Sequence, residues 1–507
     1  MLNYRSSGLL MPISCLPSRF GIGDLGPQAY QFADILCKNK QQFWQILPLN
    51  PTELEHGNSP YFSYSAFAGN PLLISPELLH RNGLLSKSDL EEYLLPEKPE
   101  IDFSKVYPLK QQILQKAVLV FSKLPKLQKE FADFCQQQAF WLEDYTLFEV
   151  LRHQFNHQQW NEWPVPLRER NMGTLTEFKK TMSAEIERYK IIQFLFFRQW
   201  YEFKHYCKAK NIKIIGDMSI YVTYQSAEVW THPKLFKLDK NKNQFCQAGV
   251  PPDYFSPTGQ LWGNPVYKWS AHLKENFQWW QRRIAHNLTL YDLLRIDHFR
   301  GLLAYWEIPA GEKTAIKGNW VNGGGEDFFY MLKREFPDLP FIAEDLGVIT
   351  EDVVQVMNQL RLPGMRVLQF AFGESFPHSI HLPHNHITNC VVFTGTHDNN
   401  TIQGWWQKEI KNQQKILVRQ YLSKDITTNN VHWEFIRLAQ SSVANLAIIA
   451  VQDMLGLGEG ARMNNPACTR GNWHWHLTNR QMSELKENAF PRLKEITHTY
   501  GRYKTVN

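Results

Sequence analysis

Three acidic residues each follow a short apolar stretch, and together they carry the chemistry that this sequence can perform. Asp297 ends the string LLRID, Glu344 ends FIAE, and Asp398 ends VVFTGTHD. Carboxylates that converge on a dry pocket have their pKa values pushed apart, so that one stays ionised while another can hold a proton. Glycosidic bond chemistry needs such a pair, which a retaining enzyme keeps about 5–5.5 Å apart. Taken singly, each residue is also compatible with a helix N-cap or a surface turn.

Asp297 has cationic neighbours on both sides. Arg295 lies two positions before it, and Arg300 three positions after it. Nearby cations keep an aspartate ionised at neutral pH, which suits a nucleophile or an anion that holds substrate. The alternative is a structural ion pair, because ion-pair networks also gather at strand ends.

Histidines flank two of the acidic residues and raise the question of a metal site. His298 follows Asp297, and His397 precedes Asp398. The sequence contains no H-E-x-x-H string and no similarly spaced set of ligands. A histidine in this position can instead hydrogen-bond a substrate hydroxyl. We therefore expect no catalytic metal.

The elements that must position these residues alternate between strand-like and helical patterns. Parallel sheets and (β/α)8 barrels are built from such alternation, and barrels place their active sites at the carboxyl ends of the strands. The sequence therefore predicts an α/β fold, a (β/α)8 TIM barrel. A doubly wound open sheet is the alternative, but no G-x-G-x-x-G follows the first strand. The predicted strands are 8–13, 43–49, 212–216, 291–296, 340–343, 365–370, 390–393 and 446–451, and the predicted helices include 28–38, 109–121, 185–208, 326–335, 352–360 and 401–422.

Two gaps between consecutive predicted strands, one after the second strand and one after the third, are too long for a simple barrel crossover. We interpret the whole chain, 1–507, as a single barrel with an inserted, largely helical subdomain over 72–185, after the second strand. A second excursion spans 223–290, is rich in Pro, Gly and aromatics, and is expected to be a long loop that covers the site. In its 250s part, Gln260 beside Trp262 suggests an amide and a stacking contact to a sugar, although such aromatics can also be core.

The composition excludes several classes of protein. The 507 residues carry a net charge of +6 without a basic run, which argues against nucleic-acid binding, and 14% of them are aromatic. No stretch approaches the roughly 20 apolar residues of a membrane helix, and no signal peptide is recognised. The seven cysteines contain no C-x-x-C pair, which is typical of reduced thiols. We expect a cytoplasmic protein whose oligomeric state is open.

Several long and unusual strings are shared with one family. The chain resembles the 4-alpha-glucanotransferases (amylomaltases, or disproportionating enzymes) of glycoside hydrolase family 77 over nearly its whole length. The strings that carry the resemblance, in family order, are SPY at 59–61, FAGNP at 67–71, GDMSIYV at 216–222, VPPDYF at 250–255, GQLWGNP at 259–265, RIDHFRG at 295–301, AEDLG at 343–347, GTHDN at 395–399 and RMN at 462–464.

The resemblance implies roles for the three acidic residues. Asp297 would be the nucleophile that forms a covalent glucosyl intermediate, and Glu344 the acid that protonates the leaving oxygen and then the base that activates the acceptor. Asp398 would hold the sugar ring distorted and stabilise the transition state. Neither a metal nor an organic cofactor is implied.

The resemblance also implies the partners of the site, which are maltooligosaccharides and α-1,4-glucans. The residues implied in substrate binding are Tyr61, Asp217, Arg295 and His397 on the donor side, Gln260 and Trp262 in the acceptor-shaping excursion, and Asn464.

Transfer to a sugar 4-hydroxyl and hydrolysis use the same covalent intermediate, so the choice between them rests on the resemblance. A retaining α-glucan hydrolase of the amylase type is the alternative enzyme. A catalytically dead glucan-binding protein is the alternative outside enzymes, and the presence of all three carboxylates argues against it.

Overall fold

A closed ring of parallel strands lies at the centre of the molecule. Within residues 4–252, 256–468 and 470–503, which the computed structural model describes, eight parallel strands form one sheet in the order β10-β11-β12-β1-β2-β3-β6-β9. The strands, in chain order, are β1 Ser6–Leu10, β2 Phe43–Gln45, β3 Lys213–Met218, β4 Cys246–Val250, β5 Gln260–Leu261, β6 Leu293–Ile296, β7 Ala304–Pro309, β8 Asn319–Asn322, β9 Phe341–Ala343, β10 Gly364–Val367, β11 Cys390–Phe393 and β12 Leu446–Ala450.

The ring closes between β9 and β10. The N–H of Ala343 donates to the carbonyl oxygen of Pro363 at 3.0 Å, immediately before β10 begins. The ring strands are buried on both faces, which explains their continuous apolar runs. The predicted (β/α)8 barrel is confirmed, and each of the eight predicted strand segments overlaps one ring strand.

Helices surround the ring. Most predicted helices agree with the structure to within a few residues at each end. The α-helices are α1 Pro27–Lys38, α2 Pro76–Arg81, α3 Lys87–Glu92, α4 Phe103–Phe121, α5 Pro125–Gln137, α6 Ala139–Gln154, α7 Val165–Arg168, α8 Met172–Thr181, α9 Ser183–Ala209, α10 Ala227–Thr231, α11 Trp269–Lys274, α12 Gln278–Leu290, α13 Gly325–Glu335, α14 Glu351–Leu360, α15 Ile402–Lys408, α16 Asn412–Leu422, α17 Val431–Ser441, α18 Val451–Met454, α19 Asn479–Glu484 and α20 Phe490–Thr499.

One predicted helix is wrong in its continuity. The periodic pattern over 401–422 forms two helices, α15 and α16, because the chain becomes extended at Lys411 (φ −73°, ψ 154°). Just before the break, the carboxylate of Glu409 accepts hydrogen bonds from Asn400 at 2.9 Å and Arg462 at 3.0 Å. Tertiary contacts of this kind are absent from the local periodicity, which therefore overestimated the length of the helix.

A second sheet was not predicted from the sequence. β5, β4, β7 and β8 form a four-stranded antiparallel sheet in that order, so the 223–290 segment contributes two strands and the helices α10, α11 and α12. Three of these strands, β4, β5 and β8, are short and contain amide side chains instead of alternating apolar residues, which hides them from pattern analysis. Residues 253–255 of the 250s loop lie outside the described residues.

The segment 72–185 contains the helices α2 to α8 and the start of α9, and the long α9 returns the chain to β3. The paired tryptophans Trp279–Trp280 and Trp405–Trp406 are buried in the core. In the part of the chain that the structure describes, no helix combines the length and apolar character needed to cross a membrane.

Candidate active site

The predicted site residues gather at the carboxyl ends of the ring strands. Asp217 lies in β3 and Arg295 in β6, while Asp297 follows β6 directly. Glu344 is the first residue after β9, and Asp398 lies five residues after β11. Parallel strands of a barrel bring these ends to one mouth, so residues far apart in sequence become neighbours.

Arg295 is the centre of an ionic network. Its Nη1 donates to both oxygens of Asp217, at 2.8 and 2.7 Å, and lies 2.9 Å from Oδ1 of Asp297. The hydroxyl of Tyr61 donates to Oδ2 of Asp217 at 2.9 Å. Burial opposes the charge of Arg295, but Asp217 and Asp297 outweigh it and hold its pKa well above the usual value. The network therefore carries a fixed cation beside Asp297.

Glu344 has main-chain donors on both oxygens. The N–H of His298 donates to Oε2 at 2.7 Å, and the N–H of Leu346 donates to Oε1 at 2.7 Å. Burial raises the pKa of Glu344 to about 7, with Asp297 adding to the effect and Arg295 opposing it. Near neutral pH this carboxyl group can therefore both give and take a proton.

Asp398 has side-chain partners instead. Nδ2 of Asn464 donates to its Oδ1 at 2.6 Å, and Nε2 of His397 lies 3.2 Å from its Oδ2. Burial opposes ionisation, but His397 and the Asn464 amide outweigh it and lower the pKa of Asp398 to about 2. Asp398 is thus an anion throughout the neutral range.

His397 joins the ionic network to Asp398. Its ring stacks on Tyr61 with centroids 5.0 Å apart, and its Nδ1 lies 3.4 Å from the Tyr61 hydroxyl. Burial alone would favour the neutral ring, but Asp398 raises the pKa of His397 above its ordinary value. The donor-side residues named from the sequence are therefore in mutual contact.

Gln260 and Trp262 adjoin the site at His298. Gln260 is the first residue of β5 and Trp262 directly follows that strand. Nε1 of Trp262 donates to Oε1 of Gln260 at 3.1 Å. The Trp262 ring meets the ring of His298 edge-on, with centroids 4.9 Å apart. These two residues therefore reach the carboxylates through His298 and are not part of the ionic network.

Sequence reasoning left three neighbours of the site without a role. Arg462 donates to the carbonyl oxygens of Asp398 at 2.8 Å and Asn464 at 2.7 Å, which fixes the two chain segments relative to each other. Trp473 packs beside the Tyr61 and His397 rings, at 5.9 and 6.0 Å. The third is His298. The RMN string pointed to Arg462, but the sequence contains no signal for the placement of Trp473.

Among the residues that the structure describes, no three His, Cys, Asp or Glu side chains are arranged to hold a metal ion. The chemical groups that the site offers are an aspartate paired with arginine, a carboxyl group whose pKa is raised to about 7, and an aspartate whose pKa is lowered to about 2. This set fits the retaining cleavage of a glycosidic bond.

Comparisons with known proteins agree with this geometry. A family model described as 4-alpha-glucanotransferase, glycoside hydrolase family 77, matches residues 11–482. The 4-alpha-glucanotransferase of Aquifex aeolicus is 44% identical over 98% of this chain and 99% of its own length. The one from Synechocystis is 44% identical over 99% of both chains. The solved structure of amylomaltase from Streptococcus agalactiae in complex with acarbose superposes with a TM-score of 0.94 at 38% identity, covering 99% of this chain and 100% of that one.

Proposed function

The chain belongs to the 4-alpha-glucanotransferases of glycoside hydrolase family 77, and we propose that it transfers segments of α-1,4-glucans through a covalent intermediate on Asp297. The single observation on which the mechanism rests is that three carboxyl groups at one barrel mouth differ in their ionisation. Glu344 titrates near neutral pH, while Asp297 is paired with Arg295 and Asp398 is held ionised.

In the first half-reaction Asp297 attacks the anomeric carbon of the donor sugar. Arg295 holds Oδ1, so Oδ2 is the attacking atom. The bond from the anomeric carbon to the leaving sugar's oxygen breaks as the bond to Oδ2 forms, and Glu344 gives its proton to that oxygen. The products are a glucan with a free 4-hydroxyl and a glycosyl ester on Asp297.

In the second half-reaction the 4-hydroxyl of an acceptor sugar attacks the same carbon. Glu344, now a carboxylate, takes the hydroxyl proton, and the ester bond to Asp297 breaks. Two inversions at the anomeric carbon preserve the α configuration, and the enzyme returns to its starting state. Because the pKa of Glu344 lies near neutrality, one group can serve as acid and then as base.

The remaining residues bind and orient the donor sugar. Asp398 provides a fixed negative charge, which stabilises the oxocarbenium-like transition state. His397 and Tyr61 present polar atoms and flat rings on the donor side, while Asn464 orients Asp398. Gln260 and Trp262 bind the acceptor. Maltooligosaccharides are the proposed small substrates. The seven cysteines form no disulfide bonds, which supports a cytoplasmic location.

Incubation of the purified protein with maltotriose, without added metal, tests the proposal. Glucose together with maltopentaose and longer chains, separated by length, is the expected result. Glucose and maltose alone would instead identify a hydrolase, and unchanged maltotriose would identify a binding protein. Heat-denatured enzyme is the control for non-enzymatic products.

A further inference from the structure

His298 has an unusual backbone conformation directly beside the proposed nucleophile. Its φ of 48° and ψ of 51° place it in the left-handed region. Residues with a Cβ adopt this region at an energetic cost, and such conformations persist where the surrounding structure enforces them. Here the conformation turns the main-chain N–H toward Oε2 of Glu344, to which it donates at 2.7 Å.

The ring of His298 is held on two sides. Gly301 lies against it so closely that a Cβ at position 301 would be 2.9 Å from Cδ2 of His298 and 2.6 Å from Cδ1 of Ile220. The edge of Trp262 meets the ring at 89°, with centroids 4.9 Å apart. The N–H of Gly301 also donates to the His298 carbonyl oxygen at 2.9 Å. Packing of the ring therefore constrains the backbone at position 298.

The groups that act on Glu344 come from two strand ends. Asp297 and Arg295 approach from the end of β6, with opposite effects on its charge, and the N–H groups of His298 and Leu346 both stabilise the carboxylate. Burial lowers the pKa of the His298 ring to about 4, so this residue acts on Glu344 through its main chain and not through a ring charge.

We propose that His298 is a positioning residue for both proton transfers of Glu344. Packing of its ring between Gly301 and Trp262 holds the left-handed backbone, and that backbone aims an N–H at Oε2. The proposal rests on the function proposed above, in which Glu344 is first acid and then base. Without this donor, burial and the negative charge of Asp297 oppose the carboxylate more strongly, and Glu344 becomes a weaker acid.

Substitutions that differ in their tolerance of the left-handed region test the proposal. Asparagine adopts this region readily, whereas a β-branched valine does not. We expect His298→Val to reduce kcat/KM for maltotriose at neutral pH by at least about tenfold and to move the basic limb of its pH profile upward by about one unit. We expect His298→Asn to lose several-fold less and to keep the wild-type limb.

Gly301→Ala provides a second test that leaves His298 in place. The new methyl group would lie 2.6 Å from Cδ1 of Ile220 and 2.9 Å from Cδ2 of His298, so both side chains must shift and we expect the basic limb again to move upward. Asn211→Val is the matched control, because Asn211 is exposed, has a φ of 57° and lies before β3, away from the barrel mouth. It imposes the same backbone strain and should lower the melting temperature without moving the limb.

Equal losses in His298→Asn and His298→Val, with the basic limb unmoved, would overturn the proposal and indicate a direct contact of the ring with substrate. A folded Gly301→Ala enzyme with a wild-type pH profile would overturn it too. Failure of the proposed function is distinguishable, because a wild-type enzyme that only hydrolyses maltotriose still has a basic limb on which the variants can be compared.

Discussion

The surroundings of Glu344 and Asp398 differ although both are carboxyl groups at the mouth of one barrel. Asp398 is bonded by side chains, one of them the histidine His397, and its pKa is lowered to about 2. Glu344 is bonded by two main-chain N–H groups, and burial raises its pKa to about 7. Neutral main-chain donors thus offset burial only in part, whereas a histidine partner with an amide donor more than offsets it.

The difference divides the site into two regions. In the ionic region, comprising Asp217, Arg295, Asp297 and Asp398, no group exchanges a proton during the reaction, and Asp297 loses its charge only while it carries the glycosyl ester. The region around Glu344 and His298 leaves one group free to change its protonation state. A double-displacement reaction requires both, because anions must stabilise the positive charge of the transition state while Glu344 gives one proton to the leaving oxygen and later takes another from the acceptor hydroxyl.

Asp297→Asn should have the largest effect and would disable the ionic region. The amide cannot form the glycosyl ester, so we expect turnover of maltotriose to fall at least about 10⁴-fold while the fold survives. Product analysis and a thermal melt measure the two quantities. Asp292→Asn, just before the opposite end of β6, is the matched control and should keep its activity. Appreciable turnover by Asp297→Asn would refute the nucleophile assignment.

Glu344→Gln should have the next largest effect and would disable the other region. Loss of the acid and base should reduce kcat for maltotriose by about 10²–10⁴-fold and remove the basic limb of the pH profile. A glycosyl fluoride donor needs no proton on its leaving group, so formation of the covalent intermediate should be largely restored with it. Glu351→Gln, in the first turn of α14, is the control. A variant equally impaired with both donors would argue against the role of acid.

Asn464→Ala should have the smallest effect and would bring the pKa of Asp398 closer to that of Glu344. Removing the donor at 2.6 Å raises the pKa of Asp398 from about 2, while His397 continues to oppose protonation. Because Asp398 must be ionised, the acid limb of kcat/KM should move to higher pH by up to about one unit. Asn465→Ala, whose amide bonds Cys468 and Ala467, should leave the limb in place. An unchanged acid limb in Asn464→Ala would contradict the link to Asp398.

The sequence by itself determined the barrel and its three carboxylates. The ring strands are buried on both faces, so they appear as short apolar runs, and each of the three acidic residues follows such a run within a few positions. Helix α9 was equally readable, because neither glycine nor proline interrupts the segment Ser183–Ala209. These signals are local in sequence, and no knowledge of distant contacts is needed to recognise them.

Only the tertiary structure decided how the carboxylates differ. The bonds from Arg295 to Asp217, from His298 to Glu344 and from Asn464 to Asp398 join residues 78, 46 and 66 positions apart. The antiparallel sheet that includes β5 and the left-handed turn at His298 likewise depend on packing between distant segments. A pKa is set by burial and by whichever groups the fold brings within hydrogen-bonding distance, and neither quantity is encoded in a local pattern.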